Sequence, residues 1–117
     1  MSIRRAALVL VTLALAPTTA AAHHGWSGYD VSKPVTLEGT IREAGYEHPH
    51  GYVKLETPGT TWLVVLAPPS RMENRGLPRE MLRPGTKAAV VAYPKRDDPV
   101  ELRAERITIA GKTIELR

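Results

Sequence analysis

From Val35 onward the sequence consists of short runs in which apolar and polar residues alternate, separated by turns that contain glycine or proline. The first run reads Val-Thr-Leu-Glu-Gly-Thr-Ile-Arg over residues 35–42. A period of two sends alternate side chains to opposite faces of a strand, so such a run predicts a strand with one buried face. The chain is therefore expected to form an all-β domain over residues 35–117.

The order of the predicted elements narrows the fold class. Strands are expected at residues 35–42, 52–56, 61–67, 87–93 and 100–109, with a hairpin at 110–112 leading to 114–116. One short helix is expected at 71–75, with Ser70 as its N-cap and Glu73 in the capping-box position. Three strands, a helix and two strands are typical of a small OB-like Greek-key β-barrel. A two-sheet β-sandwich is the alternative, because the same alternation suits both folds.

Two irregularities are predicted within these strands. Gly39, in the middle of the first strand, indicates a bend or bulge of the kind that small barrels need. In the fifth strand the apolar residues change parity between Ala104 and Ile107, which predicts a β-bulge near Glu105-Arg106. The residues expected to point into the core are Leu37, Ile41, Val53, Leu55, Val64, Leu66, Val90 and Ile107.

Residues 1–22 have the three parts of a secretory signal peptide: two early arginines, an apolar run at 6–16 and a small-residue end. The apolar run is too short to cross a bilayer as a helix, so no stable membrane anchor is expected after cleavage. The mature protein is therefore expected in the periplasm.

Cleavage before His23 fits the small-residue rule, and cleavage before Ala22 fits nearly as well. The mature chain then divides into an N-terminal histidine-bearing arm, residues 23–34, and a β-barrel domain, residues 35–117. The sequence contains no cysteine, so a disulfide cannot stabilise this small domain. Metal binding or closure of the barrel is therefore expected to supply the stability that a disulfide cannot.

The charge of the chain argues against nucleic acid as a partner. The sequence has 16 basic and 12 acidic residues, and loss of the two signal-peptide arginines leaves 14 basic residues and a net charge of +2. Aromatic residues make up only 5% of the chain. OB-like barrels that bind oligonucleotides use stacked aromatics in a basic groove, and neither is indicated here.

The four histidines fall into two clusters, His23-His24 at the expected mature start and His48-Pro49-His50 between the first two strands. Residues two apart in an extended segment point to the same side, and proline favours an extended preceding residue. His48 and His50 are therefore expected to share one ion. The start of the first strand lies at the other end of the barrel, but an arm of about a dozen residues, at roughly 3.3 Å each, can cross a small domain.

The mature terminus decides how the first cluster binds a metal ion. If His23 is residue one, its amine and ring chelate the ion, and a second histidine completes a histidine brace. If Ala22 is residue one, His24 is the third residue, and its imidazole joins the amine and two amide nitrogens in a square-planar site. Both arrangements favour a tetragonal nitrogen site, for which copper is the leading hypothesis, with Ni(II) also suited to the square-planar form and other divalent transition metals less expected. The sequence thus predicts a copper site formed by His23, His24, His48 and His50.

Several motifs resemble a family of small secreted bacterial proteins that is catalogued as a domain of unknown function. They are His23-His24-Gly25-Trp26, the segment Lys33-Pro34-Val35-Thr36-Leu37-Glu38-Gly39-Thr40, the segment around His50 and the turn Leu82-Arg83-Pro84-Gly85. Members usually start with Ala-His-His-Ser-Phe and carry Asn-Pro-His at the second cluster. His23, His24 and His50 match that pattern, whereas His48 departs from it. The resemblance implies the fold and export, and brings no activity.

The function predicted from the residues is copper handling or delivery in the periplasm. The alternative is a non-enzymatic module of the cell envelope that binds a peptide, a glycan or a periplasmic protein partner, with the arm as a recognition element. No catalytic residues are predicted, because serines 27, 32 and 70 are explained by turns and caps. A copper brace that supports oxidation stays open as a third hypothesis, since it depends on a free coordination position.

Overall fold

The computed structural model describes residues 25–117, so the predicted signal peptide, His23 and His24 lie outside the described residues. The strands of this part are β1 (Val35–Gly45), β2 (Tyr52–Thr57), β3 (Thr60–Val65), β4 (Lys87–Pro94), β5 (Glu101–Ile109) and β6 (Lys112–Glu115). A helix, α1 (Pro69–Asn74), and a 3-10 turn, Arg79–Leu82, connect β3 to β4. Within residues 25–117, neither helical segment has the length and apolar character of a membrane-spanning helix.

Strands β1 to β5 form a closed five-stranded barrel, and β6 extends it as the hairpin partner of β5. Its strands follow the order β3-β2-β1-β4-β5-β6, and β3 also pairs with β5. The closing pair is parallel and joins Leu63–Val65 to Glu101–Arg103, whereas the other ladders are antiparallel. The OB-like barrel is therefore confirmed, and the two-sheet sandwich is not adopted. Closure removes the edges of β3 and β5 that would otherwise be left unpaired.

β1 pairs with a different strand along each half of its length, and it bends between the two ladders. It pairs with β4 over Val35–Thr40 and with β2 over Thr40–Gly45. A Cβ on Gly39 would collide with the carbonyl oxygen of Glu56, so glycine allows the close approach of two backbones at the bend. The bulge itself lies between Ile41 and Glu43, two residues beyond the predicted glycine.

The predicted bulge in β5 is confirmed. Val91 pairs with Arg106 while Ala92 pairs with Ala104, so Glu105 is the extra residue. The predicted hairpin is also present, with Ala110 and Gly111 both at positive φ between β5 and β6. This backbone geometry matches the twist of the flanking strands.

The start of α1 differs from the prediction. Pro68 is the N-cap and Pro69 the first helical residue, and no side chain caps the helix, so Ser70 lies inside the first turn. Proline is well suited to the first turn, because its fixed φ is already helical and its missing N–H would have had no partner. The end is as predicted: Gly76, at positive φ, lets the amides of Gly76 and Leu77 bond back to α1 in a Schellman motif.

The barrel core contains the side chains that the alternation indicated. Of the eight predicted inward residues, all but Leu37 are buried, and Leu37 packs against the core at its edge. Met72 of α1 and Leu77 after it are also buried, so the helix covers one end of the barrel.

Candidate functional site

The candidate site lies where the loop from β1 to β2 meets the N-terminal arm. The loop is anchored by Gly51, whose N–H donates to the carbonyl of Ala67 at 2.9 Å and whose carbonyl accepts from Leu66 at 2.8 Å. A Cβ on Gly51 would collide with the Met72 side chain. The residue next to this anchor is His50, which is half-buried.

The arm pairs through its backbone with the end of β4 and with the loop that follows it. The N–H of Asp30 donates to the carbonyl of Pro94 at 2.8 Å, and the N–H of Arg96 donates to the carbonyl of Gly28 at 2.9 Å. Tyr29 forms a bridge with Lys95, and its hydroxyl donates to Glu101 at 2.6 Å. These contacts fix residues 28–30 beside the end of β4.

Trp26 fastens the end of the arm. Its ring makes edge-on contacts with Tyr29 and Tyr93, at centroid distances of 6.4 and 6.0 Å. Two guanidinium groups also lie over it, Arg103 at 4.5 Å and Arg117 at 4.8 Å from the centroid. Such cation–π contacts are worth about 0.5–2 kcal/mol each, depending on their exposure. Trp26 is therefore an anchor of the arm.

Arg103 joins the arm to the His50 loop. It projects outward from β5 between two core residues, Leu102 and Ala104, and the arm covers it so fully that only 5% of it is exposed. Its Nη1 donates to the carbonyl of Gly25, and its Nη2 lies 3.2 Å from Nε2 of His50. One guanidinium thus holds both the loop histidine and the residue that follows His24.

Burial lowers the pKa values of both His50 and Arg103. Desolvation, followed by the charges of Arg103 and Arg71, lowers the pKa of His50 below its ordinary 6.5. Desolvation also lowers the pKa of Arg103. Since an arginine can only donate, Nε2 of the neutral ring accepts, which leaves the ring proton on Nδ1. His50 is therefore a neutral imidazole whose Nε2 lone pair points to Nη2 of Arg103.

Residues 9–102 match the profile of a family described as "Family of unknown function (DUF6152)". The chain belongs to this family. This confirms the resemblance drawn from the histidine and turn motifs. No curated protein matches the chain.

A likeness to a solved structure agrees with the fold of this DUF6152 member. A crystal structure of TiaS in complex with a tRNA and ATP matches with a TM-score of 0.51 and 20% sequence identity. The match covers 76% of this chain and only 20% of the other. At this identity the likeness shows the fold alone.

The predicted metal ligands of this DUF6152 member differ from one another in their surroundings. The chain bends at His48 and Pro49 instead of running extended, so His48 is exposed while His50 packs against Arg103. His23 and His24 lie outside the described residues. Within residues 25–117, no three His, Asp or Glu side chains come close enough together to hold a metal ion.

Sequence reasoning missed Arg103. In a half-buried strand, a charged residue between two apolar ones is ordinarily a solvated outer-face residue. The signal that could have located it was Trp26, because a large aromatic residue in a short polar arm needs a surface to pack on.

Proposed function

We propose that this chain is an exported periplasmic protein that binds copper for handling or delivery. The ligands are the imidazoles of His23, His24 and His50 with the mature N-terminal amine, and exposed His48 is an auxiliary donor. Imidazole and amine nitrogens are good donors for copper, and no thiolate competes in a chain without cysteine.

One observation carries this proposal: the carbonyl of Gly25 and Nε2 of His50 contact the same guanidinium. Because that group is a rigid planar fork, its two acceptors lie within roughly 8 Å of one another. Gly25 directly follows His24 in the sequence. This contact supports a ligand set that combines the arm histidines with His50 of the β1–β2 loop.

The position in the barrel gives support by analogy. OB-folds bind oligonucleotides and oligosaccharides with the loop between strands one and two and the loop between strands four and five. Here the first of these loops contains His50, and the second contacts the arm through Lys95 and Arg96. Fold-level analogy of this kind adds to the geometry without replacing it.

Copper titration of histidine variants tests the proposal. We expect His24→Ala and His50→Ala each to weaken copper binding by on the order of 100-fold, because even loss of an outer partner costs about 10–100-fold. His48→Ala is the matched control, since its exposed side chain should cost less than about tenfold. Affinities are measured by competition with a chelator on protein with its native terminus. Equal copper affinities in all variants would show that these histidines are not copper ligands.

Copper binding is also expected to depend on pH in a defined direction. A ligating imidazole must be neutral, so protons displace the metal as pH falls, by up to about tenfold per pH unit for each ligand. Because the pKa of His50 lies below 6.5, this ligand stays neutral, and binding-competent, to a lower pH than a free histidine. Because the amine ligand, with an ordinary pKa of about 7.7–8.0, must also lose its proton, the dissociation constant should level off only above about pH 8 and should rise as pH falls below it. A constant affinity from pH 8 to pH 5 would contradict imidazole ligation.

The alternative function, a peptide, glycan or protein binding module, is favoured by a different feature. An open groove of about 900 Å³ lies by the β2–β3 and β5–β6 turns, at the opposite end of β2 from His50. Threonines of four strands contribute hydroxyl groups to its lining: Thr40, Thr57, Thr60, Thr61 and Thr108. Protein purified from the periplasm without an affinity tag separates the two functions. Stoichiometric copper supports the metal site, whereas metal-free protein with a bound partner supports the module.

A further inference from the structure

The first half of β1 has one edge that no strand of the described chain covers. The N–H and the carbonyl of Ile41 both bond to the segment that leads into β4, so the backbone of Ile41 faces β4. Backbone groups of successive residues alternate between the two edges of a strand, so Gly39 and Leu37 also face β4 in this regular ladder. The N–H and C=O groups of Glu38 and Thr36 therefore face the opposite edge.

β2 pairs along that opposite edge only as far as Thr40, which lies opposite Glu56. If β2 continued in the same register, Pro58 would lie opposite Glu38. Pro58 instead begins the turn to β3, and a proline has no N–H to donate. Within residues 25–117, the outward backbone groups of Thr36 and Glu38 form no hydrogen bond to another strand. Both residues are exposed, so the edge is open to solvent.

The open groove of about 900 Å³ lies beside this edge. Its lining includes Glu38 of β1 together with Pro58 and Gly59 at the tip of the β2–β3 hairpin, where β2 leaves β1. Ala89 pairs with Glu38 on one side and with Thr108 on the other, and both partners line the groove with it. Because Ala89 and Thr108 have small side chains, the outer surface of the sheet leaves room next to β1.

Unpaired backbone groups on a strand edge define the chemistry of what they bind. The N–H and C=O groups of Thr36 and Glu38 recur at every second residue, and another extended backbone has the same repeat. A peptide that adds to the sheet as a strand can pair with all four groups. Glu38 is exposed and belongs to none of the ion pairs within residues 25–117. A cross-strand neighbour of opposite charge is favoured over other residues.

We propose that this edge is a peptide-binding site, at which an extended segment with a lysine or arginine opposite Glu38 adds to the sheet as a strand. The segment takes the place that β2 leaves at Pro58 and lies in the groove. This inference does not rest on the copper function, because His50 lies by the other end of β2. It rests on the alternative function, a binding module, and gives that module its ligand and its binding mode.

Amide hydrogen exchange, followed by NMR on the protein with its native terminus, tests whether the edge is open. We expect the amides of Thr36 and Glu38 to exchange on the order of 100-fold faster than those of Leu37 and Gly39, whose N–H groups are bonded to β4. Equally slow exchange at all four residues would show that a second copy or another part of the chain covers the edge. That result would overturn the proposal.

Peptide selection with variants of Glu38 tests the binding itself. A displayed library of random linear heptapeptides is selected on the native protein, and the affinities of the recovered peptides are measured by fluorescence anisotropy. Glu38→Pro removes an N–H that faces the open edge, so it should weaken peptide binding about tenfold without changing the unfolding temperature. Glu38→Gln is the matched control, because it keeps the N–H and loses only the charge. It should weaken binding by about two- to fivefold.

Addition of a recovered peptide to the native protein should also slow amide exchange at Thr36 and Glu38 to the rate of Leu37. This readout decides the matter if Glu38→Pro proves to unfold the domain. A selection that recovers no peptide, or peptides that leave both amides exchanging fast, would overturn the proposal. Copper affinity should be the same in the native protein and both Glu38 variants. Failure of the peptide site is therefore distinguishable from failure of the copper site.

Discussion

Val90→Asp is expected to unfold the domain. Val90 is 1% exposed in β4, where it pairs with Leu37 on one side and Ile107 on the other. A carboxylate there would lose its hydration and find no hydrogen-bond donor among aliphatic side chains. The cost should be about 4 kcal/mol or more, a large part of the roughly 5–15 kcal/mol that stabilises a typical domain. Thermal unfolding followed by circular dichroism measures the loss.

Val100→Asp is the matched control for this substitution. It replaces the same side chain, but Val100 is 42% exposed just before β5. Its hydrogen bond to Asp98 uses the backbone N–H and should survive the change. We expect a loss of no more than about 1 kcal/mol. Equal unfolding temperatures for Val90→Asp and the native protein would contradict the position of β4 in the barrel.

The fold could be predicted because its signals are local. Alternation along β1, the turn residues and the parity change at Glu105 each indicate their own element, and the element order then limits the topology. The helix start was wrong because Ser70 has the chemistry of a cap, while Pro69 before it has the backbone of a first helical turn. Which residue begins the helix is therefore decided by the neighbouring prolines and not by the capping chemistry of Ser70 alone.

The candidate site was less predictable because it depends on distant contacts. Histidine chemistry identified His50, but its neighbour Arg103 is held to Gly25 across 78 residues of sequence. Nothing near Arg103 in the sequence indicates that an arm covers β5 at this point. The expected pairing of His48 with His50 was likewise inferred from an extended segment, and the chain bends there.

Extending the mature terminus ahead of His23 is expected to have the largest effect on copper binding. In a histidine brace the N-terminal amine is itself a ligand, and an added peptide bond converts it into an amide, whose nitrogen is a poor donor unless it loses its proton. An extension of three residues should therefore weaken copper binding by on the order of 100-fold or more, since outer partners alone cost about 10–100-fold. Mass spectrometry of the native protein first establishes which residue is residue one.

The control carries the same extension behind a protease site that restores the native terminus when it is cut. Both forms should unfold at the same temperature, because the arm is fastened by Trp26 and Gly25, downstream of the added residues. Recovery of affinity on cutting would then assign the loss to the amine. If the extended and cut forms bind copper equally, the amine is not a ligand. If the histidine variants are also unaffected, binding of a partner becomes the better account of the arm.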